Sequence, residues 1–281
     1  MDADLRIDAQ QKLTRTIDFL PLPGRTRGTC GLRLKNLPGA VFVGPALASG
    51  GSGWPELALA LFDLDNTLLA GDSDYSWGRC LVSAGAVDGP HYERANARFY
   101  EDYKAGTLDI AEFLAFALEP LRRLPRAQLL AWRARFIEEC VRPMIKPWVT
   151  PLLQRYRAQG ATLALVTATN DFVTAPIAEI LDIPHLVATV AEQREGRFTG
   201  RPDGIPCFRE GKVARVRSWM AEHDLAFTDS VFYSDSHNDL PLLEAVSRAI
   251  AVDPDPILLA TAEERGWEIL RTDPPARALF A

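Results

Sequence analysis

A chain of 281 residues, 47% apolar and 24% charged, fits one globular domain enlarged by an insertion. Its net charge of −6 provides no basic excess to neutralise a phosphate backbone, which argues against non-specific nucleic-acid binding. No stretch approaches the roughly 18 consecutive apolar residues of a membrane span, so no membrane association is expected.

The N-terminus opens on Asp2, Asp4 and Asp8 rather than a basic region followed by an apolar one, so no secretory signal is read. Cys30, Cys80, Cys140 and Cys207 lie far apart and form no CxxC pair. They fit reduced thiols in a cytoplasmic protein better than a disulfide framework or a zinc site. Residues 1–55 are rich in Pro and Gly towards Ser49-Gly50-Gly51-Ser52-Gly53 and read as a poorly ordered leader with no catalytic role. Within it, Gly39 to Leu47 is apolar enough to dock on the body or on a partner.

Strong patterning begins at Leu57. The apolar run to Phe62 reads as a buried parallel strand and ends at Asp63. From Tyr75 to about Val141 only helical spacing appears, with Gly106, Pro120 and Pro125 as separators. After Pro151 the pattern alternates. A helix Leu152 to Gln159 precedes a strand Thr162 to Val166, and a helix Val173 to Leu181 precedes a strand Leu186 to Val190. A small hairpin is expected around Arg197-Phe198-Thr199, then a helix Gly211 to His223 and a strand Val231 to Tyr233. Helices at Leu240 to Ala245 and Ile257 to Arg265 alternate with strands at Ile250 to Val252 and Trp267 to Leu270. The expected fold is α/β, a Rossmann-like parallel sheet with helices on both faces and an inserted helical cap. The core would comprise residues 56–74 and 148–281, and the cap residues 75–147. Open sheets of this kind place their sites at the carboxyl ends of the strands, so the cap would cover the site.

Three strands end in polar groups. The first leads into Asp63-Leu64-Asp65-Asn66-Thr67, the second into Thr167, and a later one into Ser234-Asp235-Ser236-His237-Asn238-Asp239. Asp63 and Asp65 would converge in a loop, where their repulsion calls for a hard cation such as Mg²⁺. Any one of these acids taken alone fits a helix cap or turn. Four at the ends of two apolar strands fit a site better.

These motifs resemble those of the haloacid dehalogenase superfamily, in the phosphatase subgroup with a helical cap after the first motif. Asp63-Leu64-Asp65-Asn66-Thr67 matches its DxDxT signature, Thr167 its second motif, Lys212 its third, and Ser234 to Leu240 its fourth. The resemblance covers roughly residues 57–272. It implies Asp63 as a nucleophile forming an aspartyl-phosphate and Asp65 as the general acid and base. Thr167 and Lys212 would contact the phosphoryl group. Asp63, the Asp65 carbonyl and Asp235 would hold Mg²⁺, with Asp239 and Asn238 behind them. His237 reads as a hydrogen-bonding loop residue, since Asp65 fills the role of base. Carbon–halogen hydrolases of the superfamily lack the second aspartate and its ATPases carry Thr there, so Asp65 implies ester hydrolysis.

The substrate would be a small phosphorylated metabolite. Phosphoserine phosphatases usually place a glutamate where Asp72-Ser73-Asp74-Tyr75 stands, and Ser-Gly-Gly where Thr167-Ala168-Thr169-Asn170 stands. Gly71 to Trp77, Phe198-Thr199-Gly200, Pro206-Cys207-Phe208 and Asn238 to Leu243 are similar to the bacterial histidinol-phosphatases of the same branch. That resemblance implies histidine biosynthesis and makes Asp72, Asp74 and Glu112 candidates for meeting the ammonium and imidazole of histidinol phosphate. Tyr75, Trp77, Phe99 and Phe113 read as cap core. A phosphoserine phosphatase, a phosphotransferase and a phosphate-binding module without turnover stay open, as does the oligomeric state.

Overall fold

The computed structural model describes residues 57–272 and, ahead of them, three short strands. These are β1 (Ile17–Pro21), β2 (Thr29–Leu34) and β3 (Val41–Pro45), paired antiparallel in that order. They belong to a unit separate from the body, Trp54–Ile269. These three strands fall within the leader read as poorly ordered; the rest of it, and the side chains of Gly39 to Leu47 on which docking would rest, lie outside the described residues.

The body is a seven-stranded sheet in the order β10-β9-β8-β4-β5-β6-β7. Its strands are β4 (Leu59–Phe62), β5 (Thr162–Asn170), β6 (His185–Arg194), β7 (Arg197–Asp203), β8 (Ser230–Ser234), β9 (Arg248–Val252) and β10 (Glu268–Leu270). β4 pairs in parallel with β5 on one side and β8 on the other. The first strand of the body thus lies between the second and a much later one, the topological switch point where open α/β sheets bind their ligands. All four residues of β4 are buried, as a strand covered on both faces requires. β6 and β7 form an antiparallel hairpin about Glu195-Gly196, with arms longer than the sequence suggests.

Helices α6 (Val149–Ala158), α7 (Asp171–Ile180), α8 (Glu210–Glu222), α9 (Leu240–Leu243) and α10 (Pro256–Arg265) alternate with the strands. Between β4 and β5 stands a wholly helical insertion: α1 (Ser73–Ser83), α2 (Gly89–Ala105), α3 (Ile110–Arg123), α4 (Arg126–Phe136), a π-helical turn Ile137–Val141 and α5 (Arg142–Met144). Asp72, Asp88 and Asp109 cap α1, α2 and α3 through their side chains. Pro120 does not separate helices but lies inside α3. One lost backbone hydrogen bond is tolerated there because Leu118 and Leu121 are buried on either side.

The chain leaves and re-enters the body side by side. Leu69 bridges Ile145, and the Lys146 N–H donates to the Leu68 carbonyl at 3.0 Å. The buried Lys146 ammonium reaches the Asn66 carbonyl (2.7 Å) and Asp253 (2.9 Å), tying this junction to the loop after β4. Among the described residues no helix is long and apolar enough to cross a membrane, and Cys80, Cys140 and Cys207 are free.

Candidate active site

Asp63 directly follows β4, and its N–H donates to the Tyr233 carbonyl of β8 at 2.9 Å. Since Phe62 pairs in register with Tyr233, Asp63 emerges beside Ser234 and Asp235. The meeting of the two strand ends that the sequence required is therefore present. Lys212 arrives from the first turn of α8, with Nζ 2.9 Å from Asp63 Oδ1 and 2.7 Å from Asp239 Oδ1. The Ser234 hydroxyl donates to Asp239 Oδ2 at 2.7 Å. Burial alone would lower the pKa of this lysine. The Asp239 and Asp63 charges outweigh burial and hold its pKa above the ordinary value. Lys212 thus lies between Asp63 and Asp239.

Asp65 is gripped at both oxygens. The Ser73 N–H, at the start of α1, donates to Oδ1 at 2.6 Å, and the Thr169 hydroxyl donates to Oδ2 at 2.9 Å. Burial lifts the carboxyl to about 7, the Asp72 charge adds to this, and the hydrogen bonds oppose it. An acid that keeps its proton near neutrality can protonate a leaving oxygen. Thr167 is buried on the same strand as Thr169. Its Oγ1 accepts from the Thr169 N–H (3.2 Å), which leaves its own hydrogen for a ligand in the cleft.

Thr67 fixes Asp235 by donating its hydroxyl to Oδ1 and accepting the Asp235 N–H, both at 3.0 Å. Burial, followed by the charges of Asp63 and Asp239, pushes Asp235 well above the usual carboxylate range. Asp63 is raised to about 7, with burial dominant, Lys212 opposing, and Asp239 and Asp65 adding to it. Two buried carboxylates that repel each other are relieved by a cation between them, and their donors are hard oxygens. Among the described residues no three His, Cys, Asp or Glu side chains form a metal cage. Asp63 and Asp235, at neighbouring strand ends, offer hard oxygen donors of the kind that Mg²⁺ takes while keeping waters, so the residues fit that ion.

Above this floor the insertion closes a cleft with a free volume of about 60 Å³. Asp74 and Asp72 line it, both raised chiefly by burial, to about 7 and about 6. Tyr75 and Tyr100 face each other with ring centroids 5.4 Å apart, and Phe99 meets Phe113 edge to face at 5.5 Å. Tyr75, Phe99 and Phe113, expected as cap core, therefore also form the wall of the cleft. Trp77 is core alone, packed between Phe136 and Phe172. Glu112 does not reach the cleft. It pairs with Arg98 at 2.6 Å on the surface, because it lies in the first turn of α3 on its solvent side.

Asn238 accepts from Arg209 (3.0 and 3.1 Å) and donates to the Tyr103 carbonyl of α2 (3.1 Å), linking the loop after β8 to the insertion. His237 is held at Nδ1 by Asp255 (2.8 Å), a loop role as expected. The sequence reading gave no role to Thr169, Arg209 or Lys146. Thr169 alone carried a signal, as a hydroxyl two residues beyond Thr167 on one strand face.

A family model described as haloacid dehalogenase-like hydrolase matches residues 60–244. The histidinol-phosphatase of Neisseria meningitidis serogroup C (strain 8013) is 40% identical over 216 residues, which span 75% of this chain and 97% of that protein. Phosphoserine phosphatase SerB1 of Mycobacterium tuberculosis is 34% identical over 231 residues, 80% of this chain and 75% of its own. A solved structure of a protein of unknown function from Bordetella pertussis Tohama I is 46% identical. It aligns with a TM-score of 0.71, covering 75% of this chain and 97% of that one. A substrate-bound phosphoserine phosphatase complex aligns at 0.60 with 19% identity over 77% of this chain and 94% of its own, a likeness of fold.

Proposed function

We propose that this chain, which belongs to the haloacid dehalogenase-like hydrolase family, is a magnesium-dependent phosphomonoesterase whose substrate is histidinol phosphate. Asp63 attacks phosphorus, and its carboxylate forms a bond to phosphorus as the ester oxygen–phosphorus bond breaks. The Asp65 carboxyl gives its proton to the departing alkoxide. It then takes a proton from the water that attacks the aspartyl-phosphate, releasing inorganic phosphate and restoring Asp63. Lys212 faces the phosphoryl oxygens with a charge fixed by Asp63 and Asp239, and Thr167 donates its free hydroxyl hydrogen. Asp63, Asp235 and the Asp65 carbonyl would hold Mg²⁺, which when bound neutralises the phosphate and the facing acids.

The charge balance of the cleft supports this substrate. Among the described residues that line it stand five carboxylates, Asp63, Asp65, Asp72, Asp74 and Asp239, against one cation, Lys212. Lys212 is already engaged by two of the acids. The carboxylate of phosphoserine would find no partner there and would face Asp72 and Asp74. An ammonium and an imidazole meet those acids, with aromatic rings for the heterocycle. The relative 40% identical over nearly its whole length is named a histidinol-phosphatase, in agreement.

A panel of phosphate monoesters assayed with Mg²⁺ tests the reading. Histidinol phosphate is expected to exceed phosphoserine and sugar phosphates in kcat/KM by about tenfold or more. Equal ranking would overturn the substrate. Failure to hydrolyse even p-nitrophenyl phosphate would leave a phosphate-binding module without turnover.

A further inference from the structure

We infer that Thr169 is a positioning residue that aims the Asp65 carboxyl at the leaving oxygen. The inference rests on the role given above to Asp65. Thr169 is 5% exposed, lines the cleft, and donates its hydroxyl to Asp65 Oδ2 at 2.9 Å. Among the described residues it is the only side chain of the body that hydrogen-bonds that carboxyl. The other grip, the Ser73 N–H at 2.6 Å, comes from the first residue of α1 in the cap. The two oxygens are therefore anchored to different parts of the molecule, one to the sheet and one to the helical insertion. The Ser73 grip belongs to the insertion, whereas Thr169 holds the acid in the frame of the sheet that carries Asp63. Thr169 sits on the same strand as Thr167, and its own N–H is spent on Thr167 Oγ1. The β5 register shifts between Thr167 and Asn170, a local irregularity at the point where the strand serves the cleft.

A residue that positions a general acid leaves a signature that a merely structural one does not. An alkyl phosphate needs its leaving alkoxide protonated, whereas p-nitrophenolate departs as a stabilised anion. kcat/KM reports events through departure of the leaving group, so the two esters separate the roles. Thr169→Val keeps the shape and removes the donor; Thr169→Ser keeps the donor.

For Thr169→Val, kcat/KM with histidinol phosphate or a simple primary alkyl phosphate is expected to fall about tenfold to a hundredfold, a part of the 10²–10⁴ that general acid–base catalysis contributes in full. With p-nitrophenyl phosphate it should fall less than about threefold, and Thr169→Ser should recover the alkyl rate to within about threefold. Melting temperatures are measured alongside, and Thr169→Ala replaces the valine variant if that one fails to fold. Equal falls with both esters would make Thr169 structural, and no fall with either would leave Asp65 held by Ser73 alone; each outcome overturns the inference. Asp65→Asn measured in parallel keeps the failures apart. If it shows no split between the esters, the role of Asp65 fails rather than that of Thr169.

Discussion

The floor of the cleft and its cap-side wall satisfy their charges differently. On the floor, Lys212 lies between Asp63 and Asp239, Ser234 holds Asp239, Thr67 holds Asp235, and Asp65 is gripped at both oxygens. On the wall, Asp74 has no hydrogen bond or ion pair from its side chain among the described residues, although burial and the Asp65 charge raise it to about 7. A preorganised floor stabilises charge developing on any phosphoryl group and so distinguishes poorly between esters. An unpaired acid on an aromatic wall costs free energy until a cation arrives, and this is how a site selects its ligand. Chemistry and selectivity are thus separable, and substitutions in the two regions should fail differently.

The largest effect belongs to the floor. Asp63→Asn removes the oxygen nucleophile, so turnover should drop by about a thousandfold or more with histidinol phosphate and p-nitrophenyl phosphate alike. A loss confined to one ester would merge the two regions and break the comparison. On the wall, Asp74→Asn keeps the shape and removes the charge. KM for histidinol phosphate should rise about tenfold, as expected for one lost charged contact, with a smaller change in kcat. p-Nitrophenyl phosphate, which has no cation to lose, should bind as well or better. If KM rises equally for both esters, Asp74 shapes the cleft rather than reading charge.

The two regions were also unequally legible from sequence. Apolar runs that stop at Asp63 and Asp235 report strand ends, the run that stops at Thr167 reports a strand that continues to Asn170, and parallel neighbours must bring strand ends together. The floor therefore follows from pattern and topology. Helical spacing shows which residues share a face, but not which face meets a cleft. Tyr75 and Trp77 are two residues apart on α1, yet one lines the wall and the other is buried against Phe136 and Phe172. Glu112 looked equivalent to Asp74 as an acid on the insertion, and only packing separates them. Lys146 and Arg209 gave no signal, because their partners are main-chain carbonyls and side chains tens of residues away.

Arg209 should give the smallest effect, at the seam between floor and wall. Its guanidinium donates to the Gly106 carbonyl, where α2 ends without helical partners of its own, and to Asn238 Oδ1. A cation at a helix C-terminus is favourable in itself. The contact is tight: Gly106 has φ 71°, and a Cβ there would lie 2.7 Å from His237 Nε2. Arg209 adopts φ 51°, a region that disfavours a side chain, so the backbone is strained where the guanidinium reaches the cap. Half-buried hydrogen bonds from a charged group contribute about 1 kcal/mol, or about fivefold in a rate or equilibrium. Arg209→Ala should therefore lower kcat/KM for histidinol phosphate about fivefold and speed hydrogen exchange of the Gly106 and Thr107 amides, leaving amides of β4 and β5 as slow as before. Faster exchange throughout the sheet would make Arg209 a prop of the whole fold. Unchanged exchange at the end of α2 would show that the cap closes without it.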